Sequence, residues 1–165
     1  MKNKKMKNKA DPKLKSEPKL RNAIASSVVK TLSDMAFIDA VEMPDPGEQI
    51  VFSHIIHIDI FEPEEGEVAL FLPSECKKLI VENIYGEDWS TLHATEIDDC
   101  LLEILNVLTG NFLNEYCGKE ARHNISLPEL LFDDAKISES NGFADFYFDA
   151  EGIPFRVSIC FGNHY

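Results

Sequence analysis

The chain of 165 residues carries 16 Lys+Arg against 29 Asp+Glu and is 44% apolar and 10% aromatic, enough for one domain with its own core and too short for two. Its formal charge of −13 is unevenly placed: residues 1 to 21 hold nine basic and two acidic side chains (+7), and the rest of the chain holds seven and 27 (−20). An acidic body repels phosphate backbones, no run approaches the ~18 apolar residues of a membrane span, and the Lys-rich start lacks the apolar stretch of a secretory signal, so the expectation is a cytoplasmic protein with neither a nucleic-acid nor a membrane partner.

Residues 1 to 19, MKNKKMKNKADPKLKSEPK, contain almost no bulky apolar group to offset the entropy of ordering, and are expected to form a disordered basic tail before a domain over 20–165. Such a tail is expected to be solvated, the alternative being contact with an anionic membrane or nucleic acid. Leu20, Ile24, Val28, Leu32 and Met35/Ala36 then recur at helical spacing as far as Phe37. Pro44 to Gly47 punctuate a loop, Gln49 to Phe61 reads as a strand rich in β-branched and aromatic residues, Glu62 to Gly66 as a turn, and Val68 to Leu72 as the second strand of an antiparallel hairpin. Pro73 and Ser74 open a helix that runs to Tyr85 and stops at Gly86. A longer helix is expected from Thr95 to about Tyr116, with Thr95 and Asp98 in capping-box-like positions and Gly118 beyond its end. Ile125 to Phe132, interrupted by Pro128, is at most a short edge strand. Gly142 to Ala150 and Ile153 to Phe161 flank the tight turn Glu151-Gly152 as a closing hairpin. Strands in hairpins and segregated helices imply an α+β fold, a mostly antiparallel sheet with helices packed on one face.

Cys76, Cys100, Cys117 and Cys160 stand 24, 17 and 43 positions apart without a C-x-x-C, and read as small buried hydrophobes. His54 and His57 lie in a segment of period two, where an offset of three puts them on opposite faces, so they do not form a ligand pair and no metal site is expected.

On the long helix, Ile97, Leu101, Ile104, Leu108 and Phe112 fall on one stripe with Leu105 beside it, the core face. Asp99, Glu103, Asn106 and Gly110 make a second stripe nearly opposite, with Leu102 and Leu113 flanking it as apolar contacts for a docking partner. A carboxylate and a carboxamide one turn apart can hold a cation and orient a water. Gly110, costing about 1 kcal/mol relative to Ala in a helix, suggests close approach by another molecule. From the residues alone a solvated surface face stands beside this reading.

The segment D-C-L-L-E-I-L-N-V-L-T-G-N, Asp99 to Asn111, resembles the D/S-x-x-x-E-x-x-N signature, followed by Gly, of the CheC/CheX/FliY chemotaxis phosphatases. G-E-V-A-L-F-L-P from Gly66, I-S-L-P from Ile125 and the closing G-I-P-F-R-V-S-I-C-F resemble flanking elements of that family, so the likeness runs over residues 20 to 162. The resemblance implies hydrolysis of the aspartyl phosphate on a CheY-like response regulator, with Mg²⁺ supplied by the regulator and no cofactor held by this chain. Asn106 would orient the attacking water, Glu103 would pair with the regulator's active-site lysine, and Asp99, Leu102, Gly110 and Leu113 would serve docking. The first helix carries no E-x-x-N, leaving one site per chain, and the length leaves no room for the motor-switch domain of FliY-like proteins. These features are most similar to CheX, which implies a homodimer joined through its sheet. A non-enzymatic interaction module of the same fold, binding a regulator or signalling partner, is the alternative.

Overall fold

The computed structural model describes residues 18–47, 49–131 and 142–162. Its elements in chain order are helix α1 (Pro18–Ala36), strands β1 (Ala40–Met43), β2 (His54–Glu62) and β3 (Gly66–Leu72), helix α2 (Ser74–Tyr85), a 3-10 turn (Trp89–Thr91), helix α3 (Ala94–Cys117), and strands β4 (Asn124–Ile125), β5 (Glu129–Leu131), β6 (Ala144–Ala150) and β7 (Ile153–Phe161). The strands form one sheet in the order β1-β6-β7-β3-β2-β4, with β5 also on β2. Every pairing is antiparallel.

Period-two alternation sends Ile56, Ile58 and Ile60 of β2 to one face, and the register His54↔Leu72 to Ile60↔Gly66 puts Val68, Leu70 and Leu72 of β3 beside them. Phe155, Val157 and Ile159 of β7 and Phe146 and Phe148 of β6 continue that face. The three described helices lay their apolar stripes on it: Leu20, Ile24, Val28 and Leu32 from α1, Cys76, Ile80 and Val81 from α2, and Ile97, Leu101, Ile104, Leu108 and Phe112 from α3. Burial of each large apolar side chain contributes about 1.5–3 kcal/mol, so this layer supplies most of the driving force for folding. The other face carries a smaller cluster of Ala69, Phe71, Leu131 and Phe143. The closing hairpin turns at Glu151 and Gly152, both at positive φ, with the Gly152 N–H donating to Asp149 Oδ1 at 2.8 Å.

The α+β arrangement with helices on one face is as expected, and several boundaries move. Of the expected basic tail, residues 1–17 lie outside the described residues, and Pro18 and Lys19 form the start of α1, where proline's fixed φ suits a first helical position. The strand expected from Gln49 begins only at His54, because its partner β3 ends at Leu72 where Pro73 starts α2, and no described strand pairs with residues further upstream. The edge strand expected over 125–132 is two short strands, β4 and β5, divided around Pro128; Phe132 lies outside the described residues. Strand β1 was not expected at all: its four residues A-V-E-M gain strand geometry by pairing with β6.

Candidate functional site

Helix α3 carries the candidate site, and both of its ends are tied to other elements. At its start the His93 N–H donates to Glu96 Oε2 at 2.8 Å, so the reciprocal cap is built from His93 and Glu96 rather than Thr95 and Asp98. Asp98 is otherwise engaged: its Oδ1 lies 3.3 Å from His54 Nε2, while Lys77 Nζ lies 3.1 Å from His54 Nδ1. This chain of contacts joins β2, α2 and α3, and Lys77 also sits 5.2 Å over the Trp89 ring. Near the other end Asn111 Nδ2 donates to Thr31 Oγ1 of α1 at 3.0 Å, and Phe112 and Tyr116 meet Phe161 of β7 edge to face.

The His54 arrangement fits a neutral imidazole that accepts from Lys77 and donates to Asp98. Burial first, and the Lys77 charge second, hold His54 below its ordinary pKa. A depressed folded-state pKa makes its contribution to stability complete above the unfolded value of about 6.5, and lost as pH falls from there through the folded pKa. Denaturant titrations at neutral and mildly acidic pH should show a larger loss of stability for the wild type than for His54→Gln; equal losses would contradict this.

Between these anchors α3 is uninterrupted, so positions 99, 103, 106 and 110 share an arc of about 60° and span about 16 Å of the axis. Asp99 and Glu103 are exposed, and Asn106, Leu102 and Gly110 are half-buried. Among the described residues neither the Glu103 carboxylate nor the Asn106 carboxamide has a hydrogen-bond or ion-pair partner, whereas the nearby Asn111 carboxamide is occupied by Thr31. A Cβ built on Gly110 meets nothing within 4 Å, so the chain's own packing does not require glycine there. Leu113 is a correction: it is fully buried and belongs to the core. It stands at the margin of the stripe on the helical wheel, and α3 packs against β2 and β5 as well as against α1, which leaves less of the helix surface free than the wheel implies.

The stripe is a helix face and not a cavity. A cleft of about 380 Å³ between α1, β1 and β6, lined by Arg21, Glu42, Asp145 and Tyr147 among others, shares no residue with it. Surface donors and acceptors without partners on a rigid helix suit engagement of a macromolecule that brings its own reacting group. His54 and His57 do lie on opposite faces of β2: the first faces the helices, and the second faces Glu67 and Glu129 across neighbouring strands. Among the described residues no helix is long and apolar enough to cross a membrane.

Residues 55–150 match the family model described as chemotaxis phosphatase CheX. None of the curated protein sequences matches the chain. Among solved structures, the chemotaxis protein CheX of Desulfovibrio desulfuricans superposes with a TM-score of 0.66 at 13% identity, over 86% of this chain and 98% of that one. The CheX of Borrelia burgdorferi, solved in complex with CheY, BeF3 and Mg²⁺, gives 0.66 at 18% identity over 87% and 98%. Thermotoga maritima FliY gives 0.58 at 17% identity over 93% and 91%. At such identities the structures establish the shared fold.

Proposed function

Because the chain belongs to the CheX family of chemotaxis phosphatases, we propose that it hydrolyses the aspartyl phosphate of a CheY-like response regulator with the exposed face of α3. The observation that carries this reading is the pair Glu103 and Asn106, one turn apart on a continuous helix, with side chains that no described residue engages. The complex of Borrelia burgdorferi CheX with CheY supports the choice of partner.

In the proposed reaction the regulator already holds the phosphoryl group and Mg²⁺, so the phosphatase supplies position and electrostatics. The Asn106 carboxamide accepts from and donates to a water, aiming its oxygen at phosphorus in line with the aspartyl oxygen. The water oxygen bonds to phosphorus as the bond to the aspartyl oxygen breaks; the carboxylate leaves on the regulator, and both of the water's protons depart with inorganic phosphate as H2PO4⁻. The Glu103 carboxylate pairs with the regulator's active-site lysine, which fixes register and frees that ammonium from its phosphoryl contact. Asp99, Leu102 and Gly110 border these two groups and belong to the docking surface. Leu113, being buried, has no direct part in it. A homodimer joined through the sheet belongs to the same proposal, and β1 at one edge, with Val41 and nearby Phe37 exposed, offers a surface for it.

Gly110 gives the docking geometry its own test. Gly110→Ala adds a methyl group where this chain has open space, so the domain should become more stable by up to about 1 kcal/mol. The same methyl group should hold the regulator away and raise KM for the phosphorylated regulator more than it lowers kcat. A variant that is more stable and kinetically unchanged would remove Gly110 from the interface. Phosphate release from a phosphorylated CheY-like regulator in Mg²⁺ tests the activity itself.

A further inference from the structure

On the sheet face turned away from the helices, three potential ligands converge from two neighbouring strands. His57 and Asp59 stand at i and i+2 on β2, and Glu67 of β3 is the register partner of Asp59. His57 Nδ1 lies 3.3 Å from Glu67 Oε1 and 4.0 Å from Asp59 Oδ1, and one ligand atom from each residue falls within 4.8 Å of the others. Donors bound tetrahedrally to a common ion at 2.0–2.2 Å stand about 3.3 to 3.6 Å apart, so side-chain movements of about an ångström would close the set on one ion. We propose that His57, Asp59 and Glu67 bind a divalent transition-metal ion, Zn²⁺ being the ion whose ligand preferences the set matches best.

Two features of the surroundings favour an ion over a surface charge cluster. The first is the far side of the ring: His57 Nε2 lies 3.5 Å from Glu129 Oε2, in the register partner of His57 on β5. With a carboxylate beside each ring nitrogen, Glu129 can take the Nε2 proton when Nδ1 binds a metal, which is the arrangement behind metal-ligating histidines. His57 is 13% exposed, and its Nδ1 is buried without a well-aligned hydrogen bond among the described residues. The second is the charge pattern. Asp59 directly opposite Glu67 is a like-charge pair across a sheet, an arrangement that destabilises strand pairing unless a cation lies between the carboxylates. One imidazole and two carboxylates suit zinc, with remaining positions left for water, and do not suit Mg²⁺, which favours an all-oxygen octahedron. The ion would pin β2 to β3, with Glu129 of β5 orienting the ligand, and would stabilise the domain independently of the phosphatase reading.

The test is isothermal titration of the metal-free full chain with Zn²⁺, beside thermal unfolding with and without Zn²⁺. The wild type should take up a single equivalent and unfold at higher temperature with the ion, as binding to the folded state requires. His57→Gln should abolish that site, Glu67→Gln should weaken it by more than about tenfold, and Glu129→Gln should weaken it by about tenfold. Cys160→Ser, on the strand beside Glu67, should bind as the wild type does. Should His57→Gln fail to fold by circular dichroism, Glu67→Gln and Asp59→Asn carry the decision. Absence of zinc uptake, equal uptake by the folded ligand variants, or loss of uptake in Cys160→Ser alone would overturn the proposal.

Discussion

Asn106→Ala is expected to leave the domain folded and to lower the rate of regulator dephosphorylation by about a hundredfold or more, because an unpositioned water forfeits the advantage of proximity. The two halves of this expectation come from different facts. Asn106 is half-buried on the outward arc of α3 and its carboxamide has no hydrogen-bond partner among the described residues, so its removal breaks no hydrogen bond among them and should change stability by no more than about 0.5 kcal/mol. Under the proposed mechanism the same carboxamide is the only group of this chain that touches the nucleophile. Unfolding curves paired with phosphate-release rates check both halves. A variant that keeps wild-type activity would refute the assignment, and one that unfolds would refute the view that Asn106 is free of structural duty.

Phe112→Ala should show the opposite signature: a stability loss of about 3–5 kcal/mol, with any fall in activity following from the unfolded fraction. Phe112 is fully buried on α3, with its ring stacked on Tyr116 at 5.5 Å and edge-on to Phe161 of β7 at 5.7 Å. Tyr116 meets Phe161 at 5.5 Å as well, so three rings fasten the end of the helix to the last strand of the sheet. Truncation removes transfer energy and leaves a cavity that two ring neighbours cannot fill. Since domains of this size are stable by about 5–15 kcal/mol, the loss is a large share of the total. Phe112→Leu, which keeps more of the volume, should cost less. Chemical denaturation measures both, and a cost for Phe112→Ala below about 1 kcal/mol would contradict the packing described.

Much of this architecture is legible in the residues because local pattern and tertiary demand agree. The four-residue spacing of Leu20, Ile24, Val28 and Leu32 marks the buried face of α1, and Pro73 and Gly86 bracket α2 as turn chemistry dictates. The stripe Asp99, Glu103, Asn106 and Gly110 is outward because five apolar residues on the other side of α3 must be inward. What was not legible depends on partners distant in sequence. The strand β1 exists through β6, more than a hundred residues later, and the start of β2 is decided by where β3 stops. Leu113 belongs to the core because strands pack against one flank of α3, which a helical wheel does not contain. The Lys77, His54 and Asp98 chain joins three elements, and no spacing announces it. The pair His57 and Asp59, two apart on a strand, is a local signal of one shared face; Glu67 joins them only through the β2–β3 register.

Under the proposed function the Glu103 carboxylate and the Asn106 carboxamide of α3, neither engaged by another described residue, remove phosphate from a response regulator. The most direct test of this is the decay of a phosphorylated CheY-like regulator in Mg²⁺, followed alone, with this protein, and with the Glu103→Ala, Asn106→Ala double variant. Decay should be faster with the wild type and should keep the regulator's own rate with the double variant. Binding of the regulator by the wild type without any change in phosphate lifetime, across the regulators of its host, would contradict the proposed function and identify the domain as a docking module that performs no hydrolysis.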